Sequence, residues 1–169
     1  MATVVTELLL VRHAIAFERD GARWRDDRKR PLSPRGAARA RKAAQGLGRL
    51  TRAPLRVWVS PLLRTRQTAL ILSEVARWPQ AEACPQLEPG RSTTELLRLL
   101  AAVRETRIAA IGHEPDFSRL LQACLGAGTR QPFAFRKMGV ALVRFRGPVR
   151  AGAGILVWFL PPRVLRAAR

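Results

Sequence analysis

Histidine occurs only twice in this chain, at His13 and His113. Each stands just beyond a short apolar run, ELLLV before Arg12-His13 and RIAAI before Gly112-His113. Runs of that length read as buried strands, so both imidazoles sit where a strand hands over to a loop. An imidazole, with an ordinary pKa of about 6.5, is suited to accept and return a phosphoryl group near neutral pH. A lone histidine in such a place is commonly an incidental loop or core residue. Two at equivalent strand ends, one beside Arg12, point instead to a shared site. A metal centre is not expected, because two isolated histidines without a carboxylate cluster fall short of a plausible ligand set. Cys84 and Cys124 are far apart and in no metal-ligand spacing.

The elements that carry these residues alternate strand and helix, which predicts an α/β fold with a largely parallel sheet. Glu7 to Val11 is the first strand, and the polar, aperiodic stretch from Ala14 to Leu32 is a long loop. Ser33-Pro34 opens a helix with a hydroxyl cap and a proline in the first turn, and Ala37, Ala40, Ala44 and Leu47 recur along it at helical spacing. Leu55 to Val59 is a strand stopped by Ser60-Pro61, followed by a helix from about Leu62 to Arg77. A weaker strand is expected near Ala81 to Leu87, before the turn at Pro89-Gly90. Ser92 and Glu95 form a capping box for a helix through Val103. Arg107 to Ile111 is a buried strand, and Pro115 to Leu125 a helix stopped by Gly126. Val140 to Phe145 and Ile155 to Leu160 are expected as an antiparallel edge pair. Ligands of such sheets bind beyond the carboxyl ends of the strands, and three strands here end in Arg12-His13, Ser60-Pro61 and Gly112-His113.

The segments LLLVRHAIA, RPLSPRG, SPLLRTRQTA, IGHEPDFS and FRKMGVALVRF, in this order, resemble the SixA-type phosphohistidine phosphatases of the histidine phosphatase superfamily. The resemblance runs from about position 7 to 146. It implies a phosphoglycerate mutase-like three-layer sandwich in one domain (1–169), with helices on a mostly parallel sheet. It also implies no cofactor and a covalent phosphohistidine intermediate. By position, His13 matches the family's nucleophile, Arg12 and Arg64 its phosphate-binding arginines, and His113 its second histidine. Those roles are physically sensible. A transferring phosphoryl group spreads negative charge over three oxygens, which guanidinium forks meet with several directed donors. Outside the Ser-Pro frame of SPLLRT, Arg64 would read as an ordinary surface arginine.

Weaker candidates surround this core. Ser60 is either a phosphate contact or a cap for the helix after Pro61. Lys137 matches a lysine common in SixA-like chains and is expected near the pocket mouth. Arg30, Ser33 and Gly36 fit the loop pattern after the first strand, where a cap and a turn explain Ser33 and Gly36. Thr68 carries a weak signal only. Glu88 falls near the position where phosphoesterase members of the superfamily carry a general acid, and reads equally as a solvated carboxylate. Glu114 is expected to orient a loop. Phosphohistidine releases imidazole, a far better leaving group than an alkoxide, so its cleavage needs little help from an acid. The chain also has little room for the insertions of the mutase branch, and an open pocket suits a phosphohistidine displayed on a protein.

At 169 residues the chain has the size of one domain, and a 47% hydrophobic content suits a globular core. No apolar run is long enough to cross a membrane, and the N-terminal MATVVTELLLVRH reads as a strand with no secretory leader, so a cytoplasmic location is expected. The net charge of +19 invites a nucleic-acid-binding reading. Against it, the charge is nearly all arginine scattered along the chain, tyrosine is absent, and aromatics make up 6%. Three functions follow: a phosphohistidine phosphatase acting on a histidine phosphotransfer or phosphocarrier domain, a small-molecule phosphomonoesterase, and an inactive basic nucleic-acid-binding module.

Overall fold

The computed structural model describes residues 4–128 and 133–168, so the first three residues of the N-terminal segment lie outside it. In chain order the elements are β1 (Val5–Arg12), α1 (Pro34–Leu50), β2 (Arg56–Val59), α2 (Leu63–Ala76), β3 (Glu82–Ala83), α3 (Thr93–Ala101), β4 (Arg107–Gly112), α4 (Asp116–Leu125), β5 (Val140–Arg146), β6 (Ile155–Leu160) and α5 (Pro162–Ala167).

The strands form one sheet in the order β3-β2-β4-β1-β5-β6. The pairings from β3 to β1 are parallel, and β5 joins both β1 and β6 in antiparallel fashion. Alternate side chains feed opposite layers. Leu9, Val11, Val57, Val59 and Ile111 pack with α1, α2 and α5, while Leu8, Leu10, Ile108 and Ala110 pack with α3 and α4. This is a three-layer α/β sandwich. A strand covered on both faces has no polar side to show, which explains the unbroken apolar run in β1.

The N-terminal and C-terminal caps expected from sequence form, although of the capping box only the Ser92 side-chain bond is present among the described residues. Ser33 accepts from the Gly36 amide ahead of Pro34, Ser92 accepts from the Glu95 amide, and Gly126 ends α4 in the left-handed region at φ 65°. Gly36 does more than turn a corner, because a Cβ there would stand 1.9 Å from the Ile15 carbonyl oxygen. Its missing side chain lets α1 lie directly against the loop after β1.

Elsewhere the chain departs from the sequence reading. The strand expected over 81–87 shrinks to the two residues of β3, followed by a 3-10 turn at Pro85–Leu87. The long loop contains a 3-10 turn at Asp27–Lys29, capped by Asp26, and an isolated bridge between Ala16 and Leu32. The β5–β6 pair is antiparallel and closes one side of the sheet as expected, with β6 at the edge and β5 next to β1. Helix α5 was not expected, since six residues are too few to show a period. It docks through the fully buried Leu165, whose carbonyl oxygen a Cβ on Gly46 of α1 would meet at 1.7 Å. Among the described residues no helix is long and apolar enough to span a membrane.

Candidate active site

Strand register brings the reactive side chains together. In the parallel β1–β4 ladder Arg12 stands opposite Gly112, so the next residues, His13 and His113, emerge side by side. Neighbouring strands are about 4.8 Å apart, and the two ring centroids lie 5.2 Å apart with planes inclined at 57°. In β2, Val59 pairs with Ile111, which places Ser60 at the same rim. Ser60 Oγ lies 2.8 Å from His113 Nε2. It does not cap α2, whose first residue is preceded by Leu62 with no side-chain cap.

His13 is held in one protonation state. Its Nδ1 lies 2.7 Å from the Ala14 carbonyl oxygen, which only accepts, so in the neutral ring Nδ1 carries the proton and Nε2 keeps its lone pair. Burial, reinforced by Lys137 and His113, pushes the His13 pKa down to about 2. Burial and the nearby Arg64 push His113 down to about 3. Both rings are therefore neutral near pH 7. The loop that supplies the carbonyl is anchored in turn, because the Ala14 amide donates to Thr68 Oγ1 at 3.0 Å and that hydroxyl donates to the Arg64 carbonyl at 2.7 Å.

The two arginines are fixed from behind. Arg64, with its side chain 2% exposed, donates through Nη1 to the Asp27 carbonyl at 2.8 Å and pairs through Nη2 with Asp27 Oδ2 at 3.0 Å. Arg12 donates through Nη1 to the Phe135 carbonyl at 2.5 Å. The Nε atoms of both are buried with no hydrogen-bond partner among the described residues. A buried guanidinium with donors to spare stays charged and favours an oxyanion beside it. Arg30, which sequence placed only in the loop pattern, is buried and reaches Asp27 Oδ1 at 2.7 Å and the Phe17 carbonyl at 2.6 Å.

These groups line a cleft of roughly 590 Å³ together with Phe17, Glu18, Arg19 and Lys137. Lys137 arrives on a turn bonded to the backbone of Arg12 and His13. The Met138 amide donates to the Arg12 and His13 carbonyls at 3.1 and 3.2 Å, and the Arg12 amide donates to the Gly139 carbonyl at 3.1 Å. Burial and the surrounding arginines lower the Lys137 pKa to about 8. Glu114 also borders the cleft, but its oxygens accept from Ser118 and the Phe135 amide, consistent with orienting the loop. Glu88 is outside the lining. Its carboxylate takes a bidentate pair with Arg28, at 2.6 and 3.2 Å.

Sequence reasoning missed Asp27, Glu18 and Arg19. Asp27 joins Arg30 to Arg64 from an aperiodic loop, and its three-residue offset from Arg30 was the one available signal.

The sequence profile of the histidine phosphatase superfamily (branch 1) matches residues 8–88. An uncharacterized protein of Picosynechococcus sp. is 32% identical over 141 residues, covering 82% of this chain and 84% of that protein. The solved structure of the protein histidine phosphatase SixA with tungstate superposes with a TM-score of 0.81 at 25% identity, over 95% of this chain and 99% of the other. The putative phosphohistidine phosphatase SixA from Agrobacterium tumefaciens gives 0.78 at 24%, over 93% and 98%. The chain belongs to the histidine phosphatase superfamily and is a phosphatase.

Proposed function

We propose that this protein hydrolyses phosphohistidine on a partner protein by way of a covalent intermediate on His13. The observation that carries the reading is a neutral His13 whose Nε2 lone pair is free, beside two buried arginines with unsatisfied Nε donors. In the first step Nε2 attacks phosphorus while the substrate's P–N bond breaks. The departing imidazole takes that electron pair and gains a proton from solvent. In the second step water attacks phosphorus and the P–Nε2 bond breaks. Inorganic phosphate leaves, and the water's proton goes to solvent. Arg12 and Arg64 offset the charge on the equatorial oxygens and the neutral His113 adds a hydrogen-bond donor, with Lys137 at the rim and Ser60 holding His113.

Neither Glu88 nor Glu114 is free to act as a general acid, which favours phosphohistidine over a phosphoester; Glu18 is the remaining carboxylate on the cleft lining among the described residues. Glu88 is occupied by Arg28, and Glu114 by its loop. An alkoxide leaving group needs a proton from such an acid, whereas imidazole leaves with far less help. A single domain and a reducing, cytoplasmic setting are part of the proposal. Both cysteines are buried and unpaired, in keeping with that compartment.

Rapid mixing with a histidine-phosphorylated phosphotransfer domain should give a burst of acid-labile phosphate on His13, followed by release. His13→Ala should lose the burst and at least about 10³-fold in turnover. Full activity in that variant would end the proposal.

A further inference from the structure

A second depression opens beside the cleft, on the far side of Ile15 and Lys137, between α1, α5 and the turn before β5. Its volume is about 220 Å³. The floor is apolar, made chiefly by Ile15, Met138 and Pro162, and the rim carries Arg39, Arg136 and Arg166. No carboxylate lines it among the described residues. Among the described residues these three guanidinium groups make no ion pair or side-chain hydrogen bond, although Arg28, Arg41, Arg56, Arg119 and Arg144 all find carboxylates. Ile15 and Lys137 also line the cleft, so an occupant of the depression would be continuous with a group bound at His13.

We infer that this depression is a docking subsite for the phosphorylated protein, receiving an apolar side chain near the phosphohistidine with flanking carboxylates on Arg39, Arg136 and Arg166. The inference rests on the proposed function and adds a partner chemistry, an acidic segment bearing an apolar residue. Charge complementarity selects the acids, and the closed apolar floor selects a side chain. A nucleic acid is disfavoured because no aromatic ring lines the depression to stack on a base. Unpaired rim cations of this kind chiefly set encounter rate and partner choice.

The test uses three substrates: free phosphohistidine, a dodecapeptide with phosphohistidine flanked by Glu and Leu, and the same peptide with Gln and Ser instead. The wild type should favour the Glu/Leu peptide by about tenfold in kcat/KM, the size expected of a few exposed ion pairs. Arg39→Glu with Arg166→Glu should erase the preference, and the double Gln variant should give an intermediate value. Turnover of free phosphohistidine should stay within about twofold in both, since neither residue lines the cleft. Equal use of the two peptides by the wild type, or a preference that survives charge reversal, overturns the inference. If none of the three substrates is hydrolysed, it is the functional reading that fails. The subsite is then judged by Kd for the unphosphorylated peptides. Tighter Glu/Leu binding lost on charge reversal supports it, and equal binding overturns it. Variant-sensitive binding of duplex DNA without peptide discrimination also overturns it.

Discussion

Ser60 Oγ lies 2.8 Å from His113 Nε2, which ties the second imidazole to the end of a third strand. His113 is thus fixed by β4 through its backbone and by β2 through its ring, and His13 by β1 and the Ala14 carbonyl. Both rings are buried, and both are surrounded by cations that oppose a further positive charge.

Stability should therefore fall on mild acidification. Both histidines have folded pKa values, about 2 and about 3, below the ordinary value. Below pH ~6.5 the unfolded chain binds protons that the folded one refuses, so stability is full above that pH and lost as pH falls. The slope should approach two protons, or roughly 2.7 kcal/mol per pH unit, between about pH 6 and 3. Denaturant titrations across that range measure it, and His113→Gln should remove about half of the slope. A flat profile would mean that the histidines titrate normally.

Lys137 should govern the alkaline side of anion binding. Tungstate keeps a constant charge above neutrality, so its affinity reports on the protein alone. Affinity should decline as pH rises through about 8, where the lysine loses its proton. Lys137→Met should bind roughly tenfold more weakly at pH 7, the worth of one charge-assisted hydrogen bond, and show no alkaline decline. Calorimetric titration of both proteins from pH 6.5 to 10 decides the matter.

Glu88→Gln should leave turnover of free phosphohistidine and of para-nitrophenyl phosphate within about threefold of wild type, because an exposed ion pair with Arg28 contributes little. A large loss confined to the ester would assign Glu88 the acid role after all.

Gly36→Ala should be disproportionately harmful for so small a change. The added methyl meets the Ile15 carbonyl oxygen, and relieving that clash should lower stability by about 1–3 kcal/mol. Because Ile15 follows the carbonyl that orients His13, kcat should fall as well. Thermal unfolding and steady-state kinetics on the same preparation test both effects.

The sequence disclosed the strands more fully than the loops, for a physical reason. β1 and β4 are covered on both faces, so their apolar runs are unbroken and their ends abrupt, and those ends carry His13 and His113. Ser60 was legible as a strand-end residue, but its partner was not, because the β2–β4 register joins residues 53 apart in sequence. Arg64 stood out only through its Ser-Pro frame, being one arginine among many. Asp27 and the depth of Arg30 were hidden in a segment with no period. The burial of Arg30 and the pairing of Asp27 with Arg64 of α2 depend on contacts distant in sequence, which leave no local pattern. Helix α5 was invisible for the opposite reason, being too short for a period and docked by a single leucine.

The turn bearing Lys137 is fastened to Arg12 and His13 by main-chain hydrogen bonds that do not involve the lysine side chain. Whatever side chain stood at that position would be delivered to the same place, with the His13 backbone undisturbed. Length or shape at the mouth can thus be exchanged without moving the main chain that holds His13, so a change of clientele need not await any redesign of that scaffold.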